Sequence, residues 1–123
     1  IHRCRKWLAE YADFESCMER LELEMGLMHH VHTINNALIC LIALHYGKMD
    51  TTLTPAIAVM CGLDTDCNGA SVGSIVGAIA GHKKFGGQLA GRLNDEIRPL
   101  MFGFERVTMR ELAERSAKIV NQF

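Results

Sequence analysis

The chain has 123 residues, enough for one domain with a hydrophobic core, and a formal net charge of −1. This balanced charge lacks the basic signature of nucleic-acid binding, so no nucleic-acid partner is expected. Five cysteines without a CxxC spacing predict free thiols in a reducing, cytoplasmic setting. Because the chain begins at Ile1 in charged sequence, we expect it to be part of a longer protein.

Residues 1–27 are predicted to form one or two amphipathic helices, because apolar side chains recur there at helical spacing between charged ones. Asp13 is a candidate N-cap for the second helix, and Gly26 is a candidate stop. The following polar turn, residues 28–32, carries three histidines. Their spacing does not give the i, i+4 pair of a helical zinc site. We therefore favour a turn that borders a ligand cleft over a transition-metal site.

Residues 37–44 are apolar nearly all round, which predicts a buried helix. The run is too short to cross a membrane, which takes about twenty residues, so no membrane partner is expected. Asn36 at the start of this helix is interpreted as a residue that satisfies backbone groups. A connection over residues 47–54 leads to a second buried helix at residues 56–61.

Two aspartates, Asp64 and Asp66, follow that helix and stand between apolar segments. Carboxylates in such a position need a partner or a bound ion, because desolvation of an isolated charge is costly. Two interpretations stay open from the residues alone: helix capping in a solvated turn, or a divalent cation held by hard oxygen ligands. An EF-hand is excluded, because its twelfth position is Ile75 instead of a bidentate glutamate.

The helix after the aspartates has a glycine at every fourth position, at Gly69, Gly73, Gly77 and Gly81. This stripe predicts close approach of another backbone in a helical bundle. A loop is predicted over residues 82–91, without the ending of a Walker motif, and a short helix over residues 92–99. Thr108 and Glu111 form a capping box that begins a last amphipathic helix. No period-two strand pattern appears, so the chain is predicted to be all-α.

Residues 62–81, GLDTDCNGASVGSIVGAIAG, resemble the C-terminal signature of the ADP-ribosylglycohydrolase family. The resemblance extends upstream through residues 32–36 and the following helix, and downstream to about Pro99. It implies a single all-α domain over residues 1–123, which would be the C-terminal half of a larger catalytic domain. The family's other metal-binding motif, a hydroxyl residue followed by paired aspartates, does not occur in these residues.

The resemblance implies a dimagnesium hydrolase that cleaves the ribosyl bond of an ADP-ribosylated protein or another ADP-ribose conjugate. Two Mg²⁺ ions, or alternatively Mn²⁺, would be bound between the two motifs. Asp64 and Asp66 match the C-terminal metal ligands, and Asp66 is expected to contact both ions. Cys67 matches a position that often carries a Ser or Thr ligand, although hard Mg²⁺ prefers oxygen to sulfur.

The absent aspartate motif leaves catalytic residues unassigned in this chain. We expect the site to be completed by a missing N-terminal half or by a second copy of the chain, and the isolated chain to be inactive. The alternative is a non-catalytic helical module or structural fragment. Cys67 and the absent motif favour that alternative.

Overall fold

The computed structural model of this protein describes residues 1–81, 84 and 91–122. Within those residues the predicted all-α fold is confirmed. In chain order the elements are α1 (His2–Glu10), α2 (Phe14–Met25), α3 (Thr33–Tyr46), α4 (Leu53–Met60), α5 (Thr65–Ala80), β1 (Glu96–Ile97), β2 (Val107–Thr108) and α6 (Met109–Val120). The loop predicted over residues 82–91 lies mostly outside the described residues.

The chain forms two compact units, Ile1–Phe85 and Gly86–Phe123. The first contains α1 to α5, and the second contains β1, β2 and α6. The expectation of one domain over residues 1–123 stays a prediction. None of the described helices combines the length and apolarity needed to span a bilayer.

Two of the predicted helix starts are observed with their capping hydrogen bonds. The Asp13 carboxylate accepts from the Ser16 N–H at 2.8 Å and begins α2. The Thr108 hydroxyl accepts from the Glu111 N–H at 3.0 Å and begins α6. In both cases a side-chain oxygen satisfies a backbone donor that the first turn of a helix leaves without a partner.

Helix α3 is the central element of the first unit and contacts each of its other helices. Its buried side chains pack with residues of α1, α2, α4 and α5, as its apolar sequence predicted. The resulting core contains Cys4, Trp7, Cys17, Leu21, Leu38, Ile39, Ile42, Ala43, Ile57, Ala58, Cys61 and Val72. The buried face of α3 thus fixes the relative positions of the loops at its ends.

Helix α5 packs mainly against α4, and the glycine stripe only partly explains this contact. A Cβ atom added at Gly69 would lie 3.2 Å from the Val59 side chain, which is a close contact. At Gly73 the nearest atom would be a Pro55 side-chain carbon at 4.0 Å, an ordinary van der Waals distance. The prediction of close backbone approach is therefore wrong at Gly73.

In the second unit, the helix predicted over residues 92–99 is wrong, because the chain forms a turn and then β1. Asn94 and Asp95 have φ angles of 51° and 57°, which a right-handed helix does not accommodate. Strand β1 pairs antiparallel with β2, with Ile97 opposite Val107. Two-residue strands are too short to show a period-two pattern in the sequence.

Gly47, at the end of α3, is the glycine for which we expect the largest cost of substitution. Its φ of −74° is open to any residue, but an added Cβ would lie 2.5 Å from Thr54 Cα and 2.7 Å from the Ala43 carbonyl oxygen. Gly47→Ala should therefore lower the free energy of unfolding by about 1–3 kcal/mol or more, measured by urea denaturation.

Gly73→Ala is the matched control, because its methyl group has room on α5. Alanine is the better helix former, so this variant should gain about 0.5–1 kcal/mol. If Gly47→Ala instead unfolded at the same urea concentration as the parent protein, the contact between α3 and α4 would not be tightly packed.

Candidate metal centre

The loop between α4 and α5 turns sharply to bring Asp64 to the start of α5. Gly62 and Leu63 both adopt left-handed backbone conformations, with φ angles of 77° and 57°. Glycine takes this conformation freely, whereas for a leucine it costs about 1–2 kcal/mol. Strain of this kind persists only where surrounding contacts hold the backbone, and it is often found at functional sites.

Asp64 occupies the N-cap position of α5, but its carboxylate makes no capping hydrogen bond. Asp66 follows in the first turn, where the helix dipole favours a negative charge. Asp64 is half-buried and Asp66 is exposed. The capping interpretation of the two aspartates therefore fails at the residue best placed to act as the cap.

Asp64, Asp66 and Cys67 each offer one ligand atom, and these three atoms lie within 4.8 Å of one another. Among the residues that the structure describes, this is the one cluster of three acidic, cysteine or histidine side chains close enough to share an ion. In the same part of the chain, neither aspartate forms an ion pair with a basic side chain. The structure thus brings together all three predicted ligand residues.

The Cys67 thiol is exposed and lies beside both carboxylates. Its pKa is raised above the ordinary cysteine value, first because its thiol hydrogen-bonds to Asp64, and then because of the negative charges of Asp64 and Asp66. A thiol with a raised pKa stays protonated near neutral pH, and only the thiolate binds metals well. The carboxylates, rather than the sulfur, are the stronger ligands of this cluster.

Buried asparagines connect the aspartate loop to α3. The Asn36 side-chain oxygen accepts from the Asp64 N–H at 3.2 Å and from the Asn68 amide group at 2.7 Å. The Asn36 amide nitrogen donates to the carbonyl oxygens of His30 and His32 at 2.7 and 3.0 Å. The sequence interpretation of Asn36 as a partner of backbone groups is confirmed, but its link to the aspartates was missed.

Asn68 was not singled out from the sequence, although the signal was present. It is a polar residue at 3% exposure on a helix whose other buried side chains, Val72 and Val76, are apolar. A buried polar side chain needs hydrogen-bond partners, which here are the Asn36 oxygen and the Cys40 thiol. The unfavourable burial of such a side chain points to a specific contact.

The three histidines of the turn before α3 are exposed. His32 is the N-cap of α3, and its ring Nδ1 accepts from the Ile34 N–H at 3.2 Å. His29 accepts from the Val31 N–H at 3.4 Å. Two of the imidazoles therefore act on local backbone groups, and the transition-metal interpretation of this turn gains no support from the described residues.

A protein-family model described as ADP-ribosylglycohydrolase matches residues 1–122 of the chain. The chain belongs to the ADP-ribosylglycohydrolase family. Members of this family are hydrolases and are generally metal-dependent. Comparison with curated proteins and with solved structures gave no match.

The donor set of this cluster suits one class of metal. Within the described residues the two carboxylates form no ion pair and no capping bond, and they fit a hard cation such as Mg²⁺ or Mn²⁺. The thiol fits such an ion poorly and would instead favour a soft metal. Two carboxylates are also too few for two ions that each require six ligands, so other groups or water must supply the rest.

Because the cluster contains both oxygen and sulfur donors, a substitution of Cys67 tests whether residue 67 is a metal ligand. Cys67→Ser replaces sulfur with oxygen, so it should raise the affinity for Mg²⁺ by on the order of tenfold, or ~1.4 kcal/mol of binding free energy. The same change should weaken binding of the thiophilic ion Cd²⁺. Both affinities are measured by isothermal titration calorimetry.

Cys67→Ala is the control for this test, because it removes the sulfur without adding an oxygen ligand. We expect it to weaken Cd²⁺ binding as the serine variant does, with little gain for Mg²⁺. Equal affinities for both ions in all three proteins would show that residue 67 is not a ligand.

Proposed function

We propose that this chain contributes the C-terminal aspartates of a dimagnesium site that hydrolyses the ribosyl bond of an ADP-ribosylated protein or another ADP-ribose conjugate. The observation that carries the proposal is the cluster of Asp64, Asp66 and Cys67 in a chain that matches the ADP-ribosylglycohydrolase model over residues 1–122. Family membership supports the reaction class, and two neighbouring carboxylates without an ion-pair partner among the described residues support the cation. The cytoplasmic setting expected from the cysteines stays a prediction.

The roles of the chain's own residues follow from their places on α5. Asp64 would hold an ion from the N-cap position, with its backbone fixed by Asn36. Asp66 is exposed and lies two residues further along the chain, and it would be the ligand shared between two ions. The Cys67 thiol would lie beside them, as a poorer partner than oxygen for a hard ion.

Bound Mg²⁺ ions would supply electrostatic stabilisation and orientation for the vicinal ribose hydroxyls and for the attacking water. Hydrolysis at the anomeric carbon passes through an oxocarbenium-like state, which gains from carboxylates held close to the ribose. Asp64 and Asp66 form only one wall of such a site. We therefore propose that further ligands come from an N-terminal segment of the family fold or from a second copy of this chain.

A non-catalytic helical module is the alternative function, and one observation favours it. Cys67 places a protonated thiol where a hydroxyl ligand would serve Mg²⁺ better. A chain that had lost hydrolysis would tolerate this residue, whereas an active enzyme would have to bind its ions through the carboxylates and water. The two functions differ in whether Asp66 is needed for release of ADP-ribose.

We expect the 123-residue chain alone to release no ADP-ribose from a conjugate in the presence of Mg²⁺, because it supplies too few ligands to hold two ions. A longer polypeptide, in which a segment with the hydroxyl-Asp-Asp motif precedes Ile1, should release it. Asp66→Ala in the longer protein should lower the rate by on the order of a hundredfold or more, as for other groups that stabilise a transition state.

Asp13→Asn is the matched control, because asparagine caps a helix as well as aspartate does and the residue lies at the start of α2. It should leave the rate unchanged. Release by the short chain that disappears in Asp66→Ala would contradict the shared site. Inactivity of both polypeptides would favour the non-catalytic module.

A further inference from the structure

Asp13, His32 and Thr108 cap the helices that they begin, whereas Thr52 and Asp64 make no capping bond at the starts of α4 and α5. Asp13 and Thr108 have extended backbone, with ψ angles of 160° and 150°, and each accepts from the N–H three residues ahead. Asp64 has a ψ of 69° and makes no such bond. The residue three positions ahead of Asp64 is Cys67, and its backbone N–H is thus left without this acceptor.

Asp64 differs from Asp13 and Thr108 in a contact with a side chain of α3. In a capping box, the N–H of the N-cap residue is satisfied by a side chain three residues ahead in the same helix. Cys67 stands at that position of α5 and offers no oxygen. The Asn36 side-chain oxygen takes its place and accepts from the Asp64 N–H at 3.2 Å.

Asn36 is itself held firmly enough to impose a backbone conformation. It is 8% exposed, and its side chain also bonds to Asn68, which is 3% exposed, and to the His30 and His32 carbonyl oxygens. A buried amide whose donor and acceptor are both satisfied cannot move without leaving polar groups unpaired. The backbone N–H of Asp64 is therefore fixed to a rigid group.

We propose that Asn36 is a positioning residue that holds the Asp64 backbone in its observed conformation, in which the side chain does not cap α5 and is available to a divalent cation beside Asp66. This inference rests on the proposed function of Asp64 as a metal ligand. Without the Asn36 oxygen, the backbone of Asp64 can rotate toward the extended conformation of Asp13. Its carboxylate then turns to the Cys67 N–H and away from Asp66.

Amide hydrogen exchange of the wild-type, metal-free protein tests whether Asp64 leaves the Cys67 N–H uncapped. The Ser16 and Glu111 N–H groups, capped by Asp13 and Thr108, should be protected. The Cys67 N–H at the equivalent position of α5 should exchange at least tenfold faster than either of them. Protection of the Cys67 N–H equal to that of Ser16 would overturn the proposal.

Asn36→Ala tests the cause, with Mn²⁺ affinity measured by electron paramagnetic resonance. We expect protection to appear at the Cys67 N–H, and Mn²⁺ affinity to fall by about 10–100-fold, the usual loss when a group that orients a metal ligand is removed.

Asn36→Asp keeps an oxygen for the Asp64 N–H but loses the donor to the His30 and His32 carbonyls. It should retain the rapid exchange at Cys67 and bind Mn²⁺ no more weakly than the wild type.

A purely structural role for Asn36 would lower Mn²⁺ affinity in Asn36→Asp at least as much as in Asn36→Ala, because the aspartate also loses the donated bonds and places an oxygen against the His30 and His32 carbonyl oxygens. If Asn36→Ala does not fold, Asn36→Asp and the wild-type exchange pattern decide the question. Unchanged Mn²⁺ affinity in a folded Asn36→Ala protein would overturn the inference while leaving the proposed function intact. Absence of Mn²⁺ binding in the wild type would instead refute the proposed function, whatever the exchange pattern.

Discussion

A buried amide network between α3 and α5 is the constraint on which the rest of the site depends. Asn36 contacts the Asp64 backbone, the Asn68 side chain and two carbonyl oxygens of the turn before α3. Because the Asn36 and Asn68 side chains are buried, removal of one of them would leave the other unsatisfied at a cost of about 1–3 kcal/mol. The network therefore fixes the aspartate loop to the central helix of the first unit.

This attachment explains how a strained loop and two neighbouring carboxylates, which form no ion pair within the described residues, coexist at the start of α5. Leu63 holds a left-handed conformation that leucine disfavours, and Asp64 forgoes a capping bond worth about 0.5–2 kcal/mol. Both costs have to be offset elsewhere, and the buried bonds of Asn36 are the contacts that reach this loop. A folded chain that accepts such costs to leave two carboxylates free is consistent with a cation-binding role in a generally metal-dependent hydrolase family.

The sequence predicted those features that depend on nearby residues. Local hydrogen bonds made the caps at Asp13 and Thr108 recognisable, and a continuous apolar run made α3 recognisable as buried. Asp64 and Asp66 could be singled out as candidate ligands because they are carboxylates two positions apart, whereas Cys67 was predicted only from the resemblance to the family. The contact of Asn36 with Asp64 could not be found in this way, because it joins residues 28 positions apart through a backbone group. Strand β1 was missed because its partner is needed to define it.

The central claim is that the start of α5 binds a divalent cation through Asp64 and Asp66. Paramagnetic broadening of the amide signals by substoichiometric Mn²⁺ tests it most directly, because broadening falls steeply with distance from the ion. We expect residues 64–67 and the side-chain amides of Asn36 and Asn68 to broaden first. Asp66→Asn should abolish the broadening, and Asp13→Asn should preserve it. Broadening centred away from residues 64–67, or broadening that persists in Asp66→Asn, would show that the two aspartates do not hold the ion.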